Sequence, residues 1–367
     1  MHVVEYSHNI VLMNIIYRNL KQNLYMCAIT ASMLVVCPDL IAATFTLRNS
    51  SDSVIGEIST TRVKVNDTLL DIARANGFGY YDIKLLNPEV DTWLPDEGLQ
   101  VQLPTKFVLP NAPRQGIVLN IPEMRLYYYP EQKQGEARQV ITYPIGIGRE
   151  GWNTPYVKTR VTGKKVHPNW YPPESIRAEH AEEGDPLPKI VKPGPDNPLG
   201  DYAFTLALPQ YLIHGTNKPY GVGMRVSHGC IRLYPEDIET LFHNVKLGTP
   251  VNIINQPYKI GELDGVIYLE AHPYLEEDTQ HFSQNNLTDV VKYVVEMTQE
   301  RQYKIDWDIV KQVVIENKGI PVAIGMHIPE MQASIENEIS AVPKRDAKVK
   351  DKGVDLRLET HIGQLQE

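Results

Sequence analysis

The sequence predicts a mainly β protein with a small α+β module ahead of the β domain and a helical accessory region behind it. Three observations carry that expectation. Between residues 115 and 256, apolar side chains such as Ile117, Leu119 and Ile121 alternate in short runs separated by turn residues. Between residues 61 and 105, two alternating runs bracket two short stretches of helical spacing. Beyond Pro257 the period becomes helical, with Leu287, Val290, Val291, Val294 and Val295 on one face and Ile309, Val310, Val313 and Val314 on another.

In order along the chain, residues 1–43 read as an export signal. Arg18 and Lys21 precede an apolar run over residues 24–43 that ends in small residues, which places cleavage after Ala43 or Ala42. The stretch before Arg18 is long for such a signal, so Met13 is an alternative initiator. A lipoprotein signal needs a small residue before Cys37, where Val36 stands, and Pro38-Asp39 interrupts the run as an uncleaved anchor. Cleavage leaves no membrane span and, of three cysteines, Cys230 alone. A lone thiol in an oxidising compartment is either buried and inert or kept for its chemistry.

Residues 44–60 are expected to be a polar lead-in. In the module at residues 61–105, Arg62-Val63-Lys64-Val65 reads as a strand, and Asn66-Asp67-Thr68 supplies a turn and a helix cap. Leu69, Ile72 and Ala73 then mark a helix ended by Gly77. Ile83, Leu85 and Leu86 mark a second helix stopped by Asn87-Pro88, and Val101 and Leu103 a closing strand. In the β domain, residues 116–129 read as a hairpin turning at Pro122-Glu123, and residues 139–147, 203–213 and 251–254 as strands. Residues 235–242 read as a helix with proline in its first turn. The proline-rich residues 149–200 are expected to be a long irregular insertion, which in a compact domain is usually a lid or binding loop. Residues 257–330 form the accessory helical subdomain, and the charged residues 333–367 a mobile tail.

Composition narrows the partners. Hydrophobic residues make up 42% of the chain, enough for a packed core, while 36 basic against 45 acidic residues give a net charge of −9. That balance excludes a nucleic-acid partner, whose binding would rest on phosphate neutralisation.

The chemistry is concentrated in Ile213-His214-Gly215-Thr216-Asn217 and Arg225-Val226-Ser227-His228-Gly229-Cys230-Ile231-Arg232. One thiol stands among two imidazoles and a guanidinium, whose positive charge would lower the thiol's pKa. A base that takes and returns a proton near neutrality is best supplied by histidine. His214 closes a predicted strand, and Gly221, Gly223 and Gly229 let the chain fold back against it. The amides of Gly229 and Cys230 could then face an oxyanion. This is the logic of acyl transfer through a thioester. The same residue types also allow a buried structural cysteine, or a zinc site of Cys230, His228 and His214; no further ligand lies at a suitable spacing for the latter.

The string His214-Gly215 followed by Ser227-His228-Gly229-Cys230-Ile231-Arg232 resembles the signature of YkuD-type L,D-transpeptidases. Gly116-Ile117-Val118-Leu119-Asn120, Pro144-Ile145-Gly146-Ile147-Gly148 and Gly194-Pro195-Asp196-Asn197-Pro198 are similar to the enterobacterial lipoprotein-anchoring subgroup. Asp67-Thr68-Leu69, Ile72-Ala73 and Leu86-Asn87-Pro88 resemble a LysM module, a binder of N-acetylglucosamine polymers, with Asn66 in place of the usual glycine; a ligand-free packing domain is the alternative. The resemblance implies a β-sandwich or barrel catalytic domain in a periplasmic enzyme acting on peptidoglycan stem tetrapeptides, with no metal and no cofactor. It implies Cys230 as nucleophile and His214 as proton donor and acceptor, oriented by a backbone carbonyl, since no acidic residue adjoins either histidine in the sequence. His228 and Gly229 would shape the oxyanion pocket, Ser227 and Gly215 the loop geometry. Arg232 would hold the catalytic loop or bind a substrate carboxylate. The acceptor would be a second diaminopimelate or the terminal lysine of an outer-membrane lipoprotein. Water would make the enzyme an L,D-carboxypeptidase, and a vestigial Cys230 would leave a noncatalytic wall-binding protein.

Overall fold

The alternating runs pair into a nine-stranded sheet in a computed structural model that describes residues 43–49, 51–279, 287–299 and 301–329. The expected export signal, apart from Ala43, and the expected charged tail lie outside the described residues. The strand order across the sheet is Ala43–Thr46, Gln139–Pro144, Arg125–Tyr129, Gly116–Asn120, Pro250–Ile254, Lys158–Val166, Tyr202–Leu206, Leu212–His214 and Ile231–Arg232. The central hairpin sets Gly116 opposite Tyr129 and Asn120 opposite Arg125. Both of its strands are buried on both faces, because two cores cover them. Ile117, Leu119, Leu126 and Tyr128 enter the core of the catalytic sheet, and Val118, Tyr127 and Tyr129 pack against the N-terminal module.

Residues 44–60 are not a lead-in. Ala43–Thr46 adds an edge strand beside Gln139–Pro144, Val54–Gly56 pairs with Lys106–Val108, and Ser59–Arg62 pairs with Gln100–Leu103. Each of these strands is three or four residues long, and its partner lies about forty or more residues away, so local periodicity could not reveal it. The module's helices stand as expected. Helix α1, Leu69–Ala75, is capped by Thr68, whose hydroxyl accepts from the Asp71 amide while Asp71 returns a bond to the Thr68 amide. Helix α2 spans Tyr80–Leu86.

The strands expected over residues 139–147 and 203–213 are each interrupted. The first ends at Pro144, and Ile147–Gly148 then pairs in parallel with Arg225–Ser227. The second turns back through residues 207–211, with Gln210 at φ 73°, so Leu212–His214 lies antiparallel to Tyr202–Leu206. The proline-rich insertion is less irregular than expected. It contains the strand Lys158–Val166 and helix α3, Glu174–Glu182, with the remainder stapled by a bridge between Trp170 and Val191. Helix α4 runs Pro235–Asn244 with Pro235 in its first turn.

The region after Pro257 is α+β rather than helical. Tyr258–Leu263, Val266–Ala271, Val322–His327 and Tyr303–Ile305 form an antiparallel sheet in that spatial order. Helices α5, Thr288–Thr298, and α6, Trp307–Glu316, pack against it through Val290, Val294, Val310, Val313 and Val314. The helical faces of α5 and α6 dominate the sequence pattern there, although three of the four strands are six residues long.

The three units meet around buried charge. Lys259 Nζ lies 2.8 Å from Glu123 Oε1 and 2.7 Å from Glu270 Oε1, and Arg125 donates at 2.6 Å to Asp82 of the module. Glu123, Glu270 and His272 are close enough to ligate a metal, but the Lys259 ammonium already bonds both carboxylates. The module also docks by direct backbone approach. Tyr80 N donates to Val222 O at 3.2 Å, and a Cβ at Gly223 (φ +77°) would stand 2.3 Å from Gly79 Cα. Two backbones can approach this closely only without side chains. Gly223→Ala is therefore expected to cost about 1–3 kcal/mol, seen as a lower thermal midpoint.

Candidate active site

The site is built by two very short strands. In Leu212–His214 and Ile231–Arg232 the isoleucines alternate into the core, and the intervening side chains face the other way. Their parallel register sets Ile213 beside Ile231 and His214 beside Arg232. Cys230, one residue earlier, shares that outward face. The face opens into a cleft of about 860 Å³, walled by Trp170, Ile176 and Leu187 of the insertion. Of the seven residues singled out by sequence, Cys230, His214, His228, Ser227 and Arg232 line this cleft. Gly215 and Gly229 are not among its lining residues.

His214 is buried, and its Nδ1 lies 2.6 Å from Gly215 O. A carbonyl can only accept, so Nδ1 carries the proton and Nε2 presents its lone pair; the tautomer is assigned from this bond. Burial lowers the imidazole's pKa to about 3, with the nearby Arg232 charge adding to it and the Gly215 and Leu199 carbonyls opposing. The ring is thus a neutral base across the physiological range.

Cys230 is half-buried, its Sγ 3.6 Å from Gln210 O. The expectation that positive neighbours would ionise it is not met. Burial raises the thiol's pKa above its ordinary 9.0, and this outweighs the lowering by a backbone bond at Leu212 and by Arg232. The resting pair is thiol and imidazole, both uncharged.

The loop is held by its own hydrogen bonds. Ser227 Oγ donates to Cys230 O at 2.6 Å and accepts from Gly229 N at 3.2 Å, while Thr154 Oγ1 donates to Gly229 O at 2.9 Å. Gly229 sits at φ +98°, where a Cβ would meet the Tyr211 ring at 3.1 Å. Because the Gly229 amide is engaged with Ser227, the Cys230 amide is the remaining candidate for the oxyanion.

His228 has the acidic neighbour that its sequence surroundings lack. Its Nε2 lies 3.0 Å from Glu179 Oε2 and 3.2 Å from Arg149 Nη2, Arg149 also pairs with Glu179, and the Trp152 ring meets His228 edge-on. Glu179 stands on α3, 49 residues earlier in the chain, and nothing in the local pattern links the two. Arg232 has no carboxylate partner among the described residues, and its Nε is buried without one. Burial accordingly lowers its pKa. Arg232 is thus a cation facing the cleft.

A thiol, a neutral imidazole and a cation share one cleft, and the sequence relatives give the family. The model of the L,D-transpeptidase catalytic domain, YkuD, matches residues 114–253. The chain is 39% identical over 293 residues to the probable L,D-transpeptidase YcfS of Escherichia coli, covering 78% of this chain and 89% of that protein. It is 38% identical over 302 residues to the probable L,D-transpeptidase ErfK/SrfK of Salmonella typhimurium, covering 81% and 96%. Among solved structures, the catalytic domain of an E. faecium L,D-transpeptidase aligns with 40% of this chain and 100% of its own at 21% identity and a TM-score of 0.29. The chain belongs to the L,D-transpeptidase family. No helix among the described residues is long and apolar enough to cross a membrane.

The electrostatics fix a pH response. With the thiol raised above 9.0, alkylation of Cys230 by iodoacetamide should still be climbing at pH 9, because the thiolate fraction keeps growing. Since His214 titrates near 3, no inflection is expected near pH 6.5 from its protonation. A rate that levels off by pH 7 would contradict both.

Proposed function

We propose that the protein cleaves the bond between the third residue and the terminal D-Ala of a peptidoglycan stem tetrapeptide, and passes the acyl group to an amine. The observation that carries this reading is the neutral imidazole of His214, its Nδ1–H tied to Gly215 O, in one cleft with the Cys230 thiol. His214 Nε2 accepts the thiol proton as Sγ attacks the carbonyl carbon, and the oxyanion is met by the Cys230 amide. The proton then goes to the D-Ala nitrogen, the C–N bond breaks, and a thioester remains. An amine attacks that thioester, gives its proton to His214, and the thiol leaves with a proton returned from the imidazole. The new amide needs no ATP, because the acyl group stays activated as the thioester. Arg232, a cation without a carboxylate partner, suits a substrate carboxylate.

The acceptor is proposed to be a lipoprotein lysine or a second diaminopimelate, and the setting the periplasm, reached through the export signal. The module over residues 61–105 is proposed to bind the glycan strand in the manner of LysM. Hydrolysis on the same residues is the second reading, favoured only if water reaches the thioester before an amine does.

Incubation of the purified protein with stem tetrapeptide and an amine acceptor, followed by mass spectrometry, separates these readings. Free D-Ala with an amine-linked product is expected; tripeptide alone would mean hydrolysis, and unchanged substrate a binding protein. Cys230→Ala should abolish turnover, and His214→Ala should slow it by about 10²- to 10⁴-fold. Turnover by Cys230→Ala would remove the thiol from the mechanism.

A further inference from the structure

The match to the catalytic-domain model stops at residue 253, yet the strand that leads into the Cys230 loop is held from beyond it. Arg225 opens the strand Arg225–Ser227. Its Nη2 lies 2.8 and 2.9 Å from the two carboxylate oxygens of Glu277, and its Nε donates to Gly148 O at 3.4 Å. Both side chains are about one-fifth exposed, at 18% and 20%. Glu277 sits in the 3₁₀ turn Glu276–Asp278, which follows the second strand of the C-terminal sheet. That turn is itself fastened to the catalytic domain, where Asp278 Oδ2 accepts from Tyr156 Oη at 2.6 Å and from Asn255 Nδ2 at 2.9 Å. Two residues after Arg225, the Ser227 hydroxyl bonds Cys230 O. Fixed contacts therefore run from Glu277 through Arg225 and Ser227 to the backbone of Cys230.

We propose that Arg225 and Glu277 are positioning residues for the Cys230 loop, so that a turn of the C-terminal subdomain sets the geometry of the reaction. The proposal rests on Cys230 being the nucleophile. A guanidinium that reaches a carboxylate and a backbone carbonyl together fixes direction as well as distance, which a lysine ammonium does not. A partly exposed pair adds little to global stability, so its selective effect is on the loop. Displacement of a reacting group by about 1 Å can cost up to a hundredfold in rate.

The test compares Glu277→Ala, Glu277→Gln and Arg225→Lys in the full chain with Arg301→Ala, which breaks the exposed pair to Glu262 elsewhere in the same subdomain. D-Ala release, thermal midpoint and iodoacetamide alkylation of Cys230 are read on each. Glu277→Ala and Arg225→Lys are expected to lower kcat about tenfold with KM within about twofold, and Glu277→Gln to fall between. Their midpoints should match that of Arg301→Ala, whose kcat stays at the wild-type value. Alkylation at pH 8 should rise severalfold, because a loosened loop admits water to the thiol. Wild-type kcat in Glu277→Ala, or a loss that tracks the midpoint equally in Arg301→Ala, overturns the proposal. If Glu277→Ala does not fold, Glu277→Gln and Arg225→Lys decide on the same measurements. Should turnover prove independent of Cys230, the reading of the reaction fails by itself; the alkylation rates still report whether Glu277 holds the loop, and unchanged rates refute that.

Discussion

A parallel pairing of two residues with two others determines what this site can do. Ile213 and Ile231, both buried in the core, lock the register, and that register alone places His214 and Arg232 side by side with Cys230 one step away. Parallel neighbours need a long crossover, and a helix usually supplies it. Here the crossover, residues 215–230, holds only the short turn Pro219–Gly221 and the strand Arg225–Ser227. An irregular crossover has few bonds of its own, so it must be tied from outside. The strand Ile147–Gly148, the module backbone at Tyr80 and the turn at Glu277 provide those ties.

The site's electrostatics follow from the burial of its ionisable groups. Charging either the imidazole or the thiol in that environment is costly, so both rest neutral. The charge of Arg232 disfavours protonation of His214 and favours ionisation of Cys230. Among the described residues no carboxylate offsets the desolvation of Arg232.

Buried charge joins the three units. Asp82 belongs to the module, Glu123 and Arg125 to the catalytic hairpin, and Lys259 and Glu270 to the C-terminal sheet. Removing one member of such a network strands the others in a medium that solvates them poorly, at about 3–5 kcal/mol. Apolar packing alone would hold the units together with less directional precision, whereas these bonds fix how the module and the C-terminal turn face the crossover.

The sequence by itself determined the β character of residues 115–256, the two helices of the module, and the residue types gathered around Cys230. Those features are written in local periodicity and in the string from Ser227 to Arg232, where spacing and chemistry coincide. It did not disclose the short strands at Ala43–Thr46 and Val54–Gly56, the C-terminal sheet, or the Glu179 and Glu277 contacts. Strands of three or four residues gain their stability from distant partners, and a carboxylate 49 or 52 residues from its histidine or arginine leaves no local trace. Tertiary structure alone also decided the protonation state at Cys230, because desolvation by the surrounding protein overrode the positive neighbours that the sequence displayed.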